Sequence, residues 1–298
     1  MSSGPNIFDR HLLRVRQRRA RRLTPATFLL DRVAADLGDR LSAVLRKFDV
    51  AVDLGTPSDA VRRVLAANNN ISTIVAAGLD GDDDGLRVTA DEETLPFAER
   101  SLDLVVSALA LQFVNDLPGA LIQIRRALKP DGLLLAALIG GDSLTELRSA
   151  FAAAESEVEG GISPRVAPFA DIRELGGLLQ RAGFALPVVD SERVAVRYDS
   201  ALALMRDLRR MGATNILHER LRTPLKRSTL ERVMAIYADR FADADGRVRA
   251  TFEIIWLSGW VPHESQQKPL KPGSAAQRLA DALGTIELPA GEKPERGC

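Results

Sequence analysis

The sequence predicts an α/β protein whose first half is built around one parallel, doubly wound sheet. Short apolar runs recur at 49–55, 71–77, 102–109 and 132–139, each the length of a buried strand and apolar on both faces. Segments with helical spacing separate them. The connections are short, so strand and helix alternate as they do in parallel crossover units.

Taken in order, residues 1–24 form a basic arm in which Arg10, Arg14, Arg16, Arg18, Arg19, Arg21 and Arg22 are interleaved with Ile7, Phe8, Leu12, Leu13 and Val15. Thr24-Pro25 reads as a helix start, with threonine as N-cap and proline at the first helical position. Leu29, Val33, Leu37, Leu41, Val44 and Phe48 then keep helical spacing, which predicts one amphipathic helix over 25–47. Strand 49–55 ends in glycine and passes to a helix over 58–67 and to strand 71–77. After the acidic loop from Asp80 to Gly85 comes a short strand near 86–90. The turn-like Leu95-Pro96-Phe97 leads into strand 102–109, helix 117–128 and the turn Lys129-Pro130-Asp131-Gly132 before strand 132–139. Helices are expected over 143–156 and 171–182, a strand over 188–198, helices over 200–211 and 227–241, and a long last strand over 249–261. The main domain is expected to span 25–265, with a helical insertion at about 199–245 able to cap the ligand edge of the sheet. Residues 266–298 read as a tail, disordered towards its end.

Forty basic residues balance forty acidic ones, so no global field points to nucleic acid or to an anionic membrane. The single cysteine, Cys298, excludes disulfides within the chain and cysteine-based metal clusters. His11, His218 and His263 lie far apart, and no metal site is expected. An EF-hand-like reading of Asp80 to Asp91 fails because Arg87 stands where an apolar residue belongs. No apolar run approaches the roughly 18–20 residues of a membrane span. The arm lacks the apolar core of a secretory signal. Its apolar residues favour a bacterial cytoplasmic protein, or the mitochondrial matrix in a eukaryote, with any membrane contact peripheral.

In such a sheet the ligand sits outside the carboxyl ends of the strands. The first loop there reads Asp53-Leu54-Gly55-Thr56-Pro57-Ser58-Asp59. A cofactor loop of the D-x-G-x-G-x-G kind uses glycines to turn tightly and approach the ligand, and here only Gly55 remains. The second strand ends at Ala77, where an acidic residue commonly holds ribose hydroxyls. Asp91, ahead of Leu95-Pro96-Phe97, places a carboxylate where an adenine amino group could donate.

The order DLG, ADEETLPF, SLDLVVSALALQFVNDLPGAL and LKPDG resembles class I S-adenosylmethionine-dependent methyltransferases, with a Rossmann-like seven-stranded sheet, an N-terminal helical arm and helices inserted before the last strand. The segments from Gly140 to Arg148, Glu159 to Pro164, Leu175 to Phe184 and His263 to Gln266, together with Phe8-Asp9-Arg10, resemble the complex I assembly factor 5 family. That family is described as hydroxylating an arginine on a subunit of respiratory NADH dehydrogenase; BioC-type malonyl-thioester methyltransferases are its relatives. The resemblance implies a protein partner and S-adenosylmethionine as cofactor, with Asp53, Gly55, Thr56, Asp91, Ala108 and Gln112 lining its pocket. The alternative is a non-catalytic assembly factor that has lost the cofactor and holds a partner.

Asp9, Arg10, Gly140, Gly141, Asp142, Glu146 and Arg148 are the expected substrate or partner surface. Ser143-x-x-Glu146 also spells a capping box, which alone would explain those two residues. The pair Gly140-Gly141 is expected to let backbone approach a ligand. Trp256 and Trp260 share one face of a strand and are expected in the core. No residue pattern identifies a catalytic base.

Overall fold

The computed structural model describes residues 6–79, 85–266, 280, 281 and 284–286. Met1–His263 form one compact unit and Glu264–Cys298 a second. The acidic residues 80–84 and most of the expected tail lie outside the described residues.

Seven strands build one sheet: β1 (Phe48–Leu54), β2 (Ile71–Ala77), β3 (Arg87–Val88), β4 (Leu102–Ala108), β5 (Leu128–Ile139), β6 (Ala185–Tyr198) and β7 (Val248–Trp260), in the order β3-β2-β1-β4-β5-β7-β6. Pairing is parallel from β3 through β5. β7 runs antiparallel to both β5 and β6 and is the one reversed strand. Strand order changes direction between β1 and β4, so a crevice opens beyond their carboxyl ends.

The apolar runs follow from position in this sheet. Alternate residues of the central strands serve opposite faces. Ala51, Leu104 and Val106 pack with α2 (Phe28–Ser42), α3 (Ala60–Ala66), α5 (Thr145–Glu159), α7 (Ala201–Arg210) and α8 (Arg227–Phe241). Val52, Leu54 and Val105 pack on the other side with α4 (Leu117–Ala127) and α6 (Ile172–Arg181). Strand β6 lies at an edge, and its exposure alternates along its length. Trp256 is fully buried beneath the Arg40 guanidinium, 4.4 Å from the ring centroid.

The largest boundary differences from the sequence reading are at α2 and β5. The helix expected over 25–47 is shorter and is preceded by another, α1 (Arg10–Arg22). Asp9 caps α1, accepting from Leu12 N at 2.9 Å, and arginines fill its last turn, where cations suit the helix dipole. Thr24 and Pro25 therefore lie in the linker, and the N-cap position of α2 falls to Thr27. The far end of α2 is drawn off by the Ser42 hydroxyl, which donates to Asp39 O at 2.6 Å. At β5 the strand begins at Leu128 and absorbs the expected turn, with Asp131 in the left-handed region (φ 64°).

Candidate functional site

Gly55, the first residue beyond β1, has φ 72° and donates to Ala77 O at 2.7 Å. A side chain there would collide with the Glu92 carboxylate and Ala110. Glycine is required both by backbone angle and by that close approach. The missing glycines are replaced by an ion pair. Arg62 reaches back from α3 and donates to Ser58 O at 3.4 Å and to Asp53 Oδ2 at 3.1 Å; the Asp53 side chain is 1% exposed. Thr56 Oγ1 accepts from Ala108 N at 3.2 Å and ties the loop to β4.

A cavity of about 530 Å³ opens at this edge. Its polar lining includes Asp53, Thr56, Arg62 and Gln112, and its apolar lining includes Phe151, Met205 and Phe252. Gln112 lies in a short 3-10 turn (Leu111–Phe113). Its Nε2 donates to Leu109 O at 2.8 Å, while its buried Oε1 has no partner. Leu109 (φ 53°) and Leu144 (φ 56°) both line the cavity in the left-handed region, where a leucine is strained.

The arm lies across this edge. Phe8 N donates to Asn115 Oδ1 at 2.8 Å, Asp9 N to Ile216 O at 2.8 Å, and His218 N to Ile7 O at 2.9 Å. Phe8, Leu13, Phe113, Ile216 and Leu217 make a small apolar core beneath it. Arg10, with a side chain 11% exposed, pairs with Asp91 at 2.7 Å, with Glu92, and with Glu93 at 3.8 Å. Arg14 takes the other oxygen of Asp91. Asp9 pairs with Arg220 at 3.2 Å, and its carboxyl is held below the ordinary 3.8, first by the Leu12 N–H and then by Arg220.

On the opposite side the Gly140 to Arg148 motif is clasped to β7. Glu253, 8% exposed, accepts from Asp142 N at 3.0 Å and fills the space a Gly140 side chain would need. The capping box does not form. Ser143 Oγ instead accepts from Glu253 N at 2.8 Å, and the Glu146 carboxylate accepts from Thr251 N at 3.1 Å. Helix α5 starts at Thr145 without a side-chain cap. The close approach at Gly140 is thus made by Glu253. Asp142 is half-exposed and paired with Arg193.

Farther along α5, Glu155 is buried. It accepts from Ser163 N at 2.8 Å and Arg165 Nε at 2.6 Å, fixing the loop between α5 and α6. That loop supplies Arg165, Val166 and Phe169, which with Phe151 border both the first cavity and a second one of about 710 Å³. Gly141 and Arg148 line this second cavity, and Asn6 and Ile7 of the arm stand at it.

Of the expected cofactor residues, Asp53, Thr56 and Gln112 face the first cavity; Gly55, Asp91 and Ala108 do not line it. Of the expected partner surface, Gly141 and Arg148 line the second cavity, Asp9 and Arg10 belong to the arm, and Gly140, Asp142 and Glu146 belong to the β7 clasp. Sequence reading missed Arg62, Glu155 and Glu253. A carboxylate four residues after Phe151 on the apolar face of α5 was the available signal for Glu155.

The chemistry of these groups suits one end of S-adenosylmethionine. Asp53 and the orphaned Gln112 oxygen are acceptors for an ammonium, and Arg62 is a cation for a carboxylate. Ala76, Ala77 and Gly78, at the end of β2, also line the cavity; Ala77 carries no side-chain acceptor, and Asp91 is engaged by Arg10 and Arg14.

The strand order, the reversed β7 and the cavity at the switch point define the Rossmann-like class I methyltransferase fold. A family described as "Methyltransferase domain" matches residues 50–136. A putative methyltransferase from Bacillus halodurans shares the fold at TM-score 0.53 and 16% identity, over 77% of this chain and 100% of that one. A malonyl-[acyl-carrier protein] O-methyltransferase of Laribacter hongkongensis is 41% identical over 62% of this chain and 60% of its own length. Similarity reaches much farther with the arginine-hydroxylase NDUFAF5, mitochondrial, of Danio rerio: 39% identity over 93% of this chain and 90% of that protein. The chain belongs to the NDUFAF5 arginine-hydroxylase family.

Proposed function

We propose that this protein acts in the maturation of respiratory complex I by modifying an arginine side chain of one subunit, with S-adenosylmethionine held in the first cavity. The observation that carries this is the cavity itself: it sits at the switch point, faces Asp53, Thr56 and Gln112, and borders a second cavity along Phe151 and Phe169. Asp53 and Gln112 would take the ligand's ammonium, and Arg62 its carboxylate. When bound, S-adenosylmethionine supplies an electrophilic methyl carbon on a sulfonium. The chain's own contribution is positional: α1 of the arm supplies Gln17, Ala20 and Arg21 to the cavity wall, and Glu155 holds the dividing loop.

The family name assigns arginine hydroxylation to the relatives, and the two chemistries leave different products. The test is mass spectrometry of complex I subunits from cells with and without the gene. An arginine heavier by one oxygen, lost on deletion, supports the hydroxylase form; one heavier by a methyl group supports transfer. No arginine changing mass would sink the enzymatic reading.

A second reading is a partner-holding assembly factor that works without cofactor. It is favoured by the engagement of Asp91 by Arg10 and Arg14 and by Glu92 lying over Gly55. Under it, complex I would still fail to assemble on deletion, with no arginine altered.

A further inference from the structure

Among the described residues Arg148 has no counter-charge. On α5, its guanidinium donates only to backbone carbonyls, Gly141 O at 3.5 Å and Ala167 O at 3.3 Å, and it pairs with no carboxylate among the described residues. Three other arginines of this edge are paired with acids: Arg165 in the same cavity with buried Glu155, Arg62 with Asp53, and Arg10 with three carboxylates. The Arg148 guanidinium is half-buried, and beyond its two long bonds it has donors left for an anion.

Arg148 lines the 710 Å³ cavity, a volume within the range of ligand pockets. Its walls are otherwise largely apolar: Ile7, Phe151, Val166, Phe169 and Leu217, with Ile162 exposed. Glu219 also borders it, but it is exposed, where solvent screens its repulsion. A ligand that fits presents one carboxylate to Arg148 and apolar groups around it.

We propose that this cavity is a carboxylate-binding site, with Arg148 its anchor, for the acidic side chain of a peptide segment. The choice of a carboxylate rests on the Arg148 guanidinium and the apolar walls around it. That the ligand is a peptide rests on the reading above, in which a subunit segment must reach the first cavity; the second cavity borders it along Phe151 and Phe169. Arg148 touches neither Asp53 nor Gln112 in that scheme, so its role is recognition of the segment.

The test uses the full chain without S-adenosylmethionine, so that failure of the cofactor reading leaves it intact. Binding is measured by equilibrium dialysis with three probes: the blocked pentapeptide acetyl-Leu-Gly-Asp-Gly-Leu-amide, its asparagine counterpart, and free glutarate. The aspartate peptide should bind about tenfold more tightly than the asparagine peptide, the factor that a charge-assisted hydrogen bond is worth. That preference should vanish in Arg148→Gln and persist in part in Arg148→Lys. Glutarate binding as tightly as the aspartate peptide would keep the carboxylate site and assign it to a small free acid. Equal binding of the two peptides by the wild type overturns the proposal, whatever the variants do to folding. So does an aspartate preference that survives Arg148→Gln in a folded variant.

Discussion

Removing the Arg10 side chain should loosen the whole roof of the first cavity. In Arg10→Ala the carboxylates of Asp91, Glu92 and Glu93, with side chains 26%, 16% and 27% exposed, lose their shared cation; only Arg14 still reaches Asp91. Exposed pairs are worth about 0–1 kcal/mol. Breaking a fully buried pair costs about 3–5 kcal/mol. The intermediate burial here places the loss near 2 kcal/mol, since the remaining carboxylates repel one another in a partly dry site. For a domain of this size that lowers the melting midpoint by roughly 4 °C. Thermal unfolding followed by circular dichroism reads the stability, and hydrogen exchange locates it. The amides of Phe8 and Asp9, bonded to Asn115 and Ile216, should lose protection first. Arg10→Lys should fall between, keeping the charge without the fork. An Arg10→Ala protein that melts with the wild type and keeps both amides protected would refute the assignment of Arg10 as the clasp.

Other consequences are equally direct. Gly140→Ala should destabilise by about 2–3 kcal/mol because its methyl group must displace the buried Glu253 carboxylate, whereas Gly141→Ala, whose nearest atom is Phe169 O at 3.4 Å, should cost less than about 1 kcal/mol; denaturant midpoints compare them. Glu155→Ala strands Arg165 and frees Ser163 N, so it should cost about 3 kcal/mol and expose 160–169 to limited proteolysis. Asp9 titrates below its ordinary 3.8 in the fold, so its contribution is complete above about pH 4 and disappears as pH falls through the lower, folded value. The stability lead of wild type over Asp9→Ala should therefore be flat near neutrality and shrink only in acid. A lead that changed around pH 6–7 would point to a different group.

The fold was legible because the central strands are buried on both faces and need no partner to declare themselves. Ala51, Val52 and Leu104 are fully buried whichever helix covers them. The Arg-rich arm was the harder part. Its mean composition reads as solvated, and only the spacing of Leu13 and Ala20 marks its buried face. The shortage of glycine in the loop after β1 is plain in the sequence, yet the Arg62–Asp53 pair that ties the loop depends on how α3 turns and is invisible to loop chemistry. The same holds for Ser143 and Glu146. Their spacing matches a capping box, but β7 lies within reach and offers Glu253 N and Thr251 N, so tertiary bonding takes both side chains. Glu253 itself sits in an apolar strand and is explained only by the turn it organises.

The proposal that the first cavity holds S-adenosylmethionine is tested most directly by titration calorimetry of the full chain with that ligand, alongside Gln112→Ala and Asp53→Asn. Saturable binding is expected, weakened about tenfold in Gln112→Ala, where a charge-assisted hydrogen bond to the orphaned oxygen is lost. No heat at millimolar ligand, from wild type and from Arg10→Ala alike, would contradict it and leave the protein as a partner-holding scaffold on a methyltransferase fold.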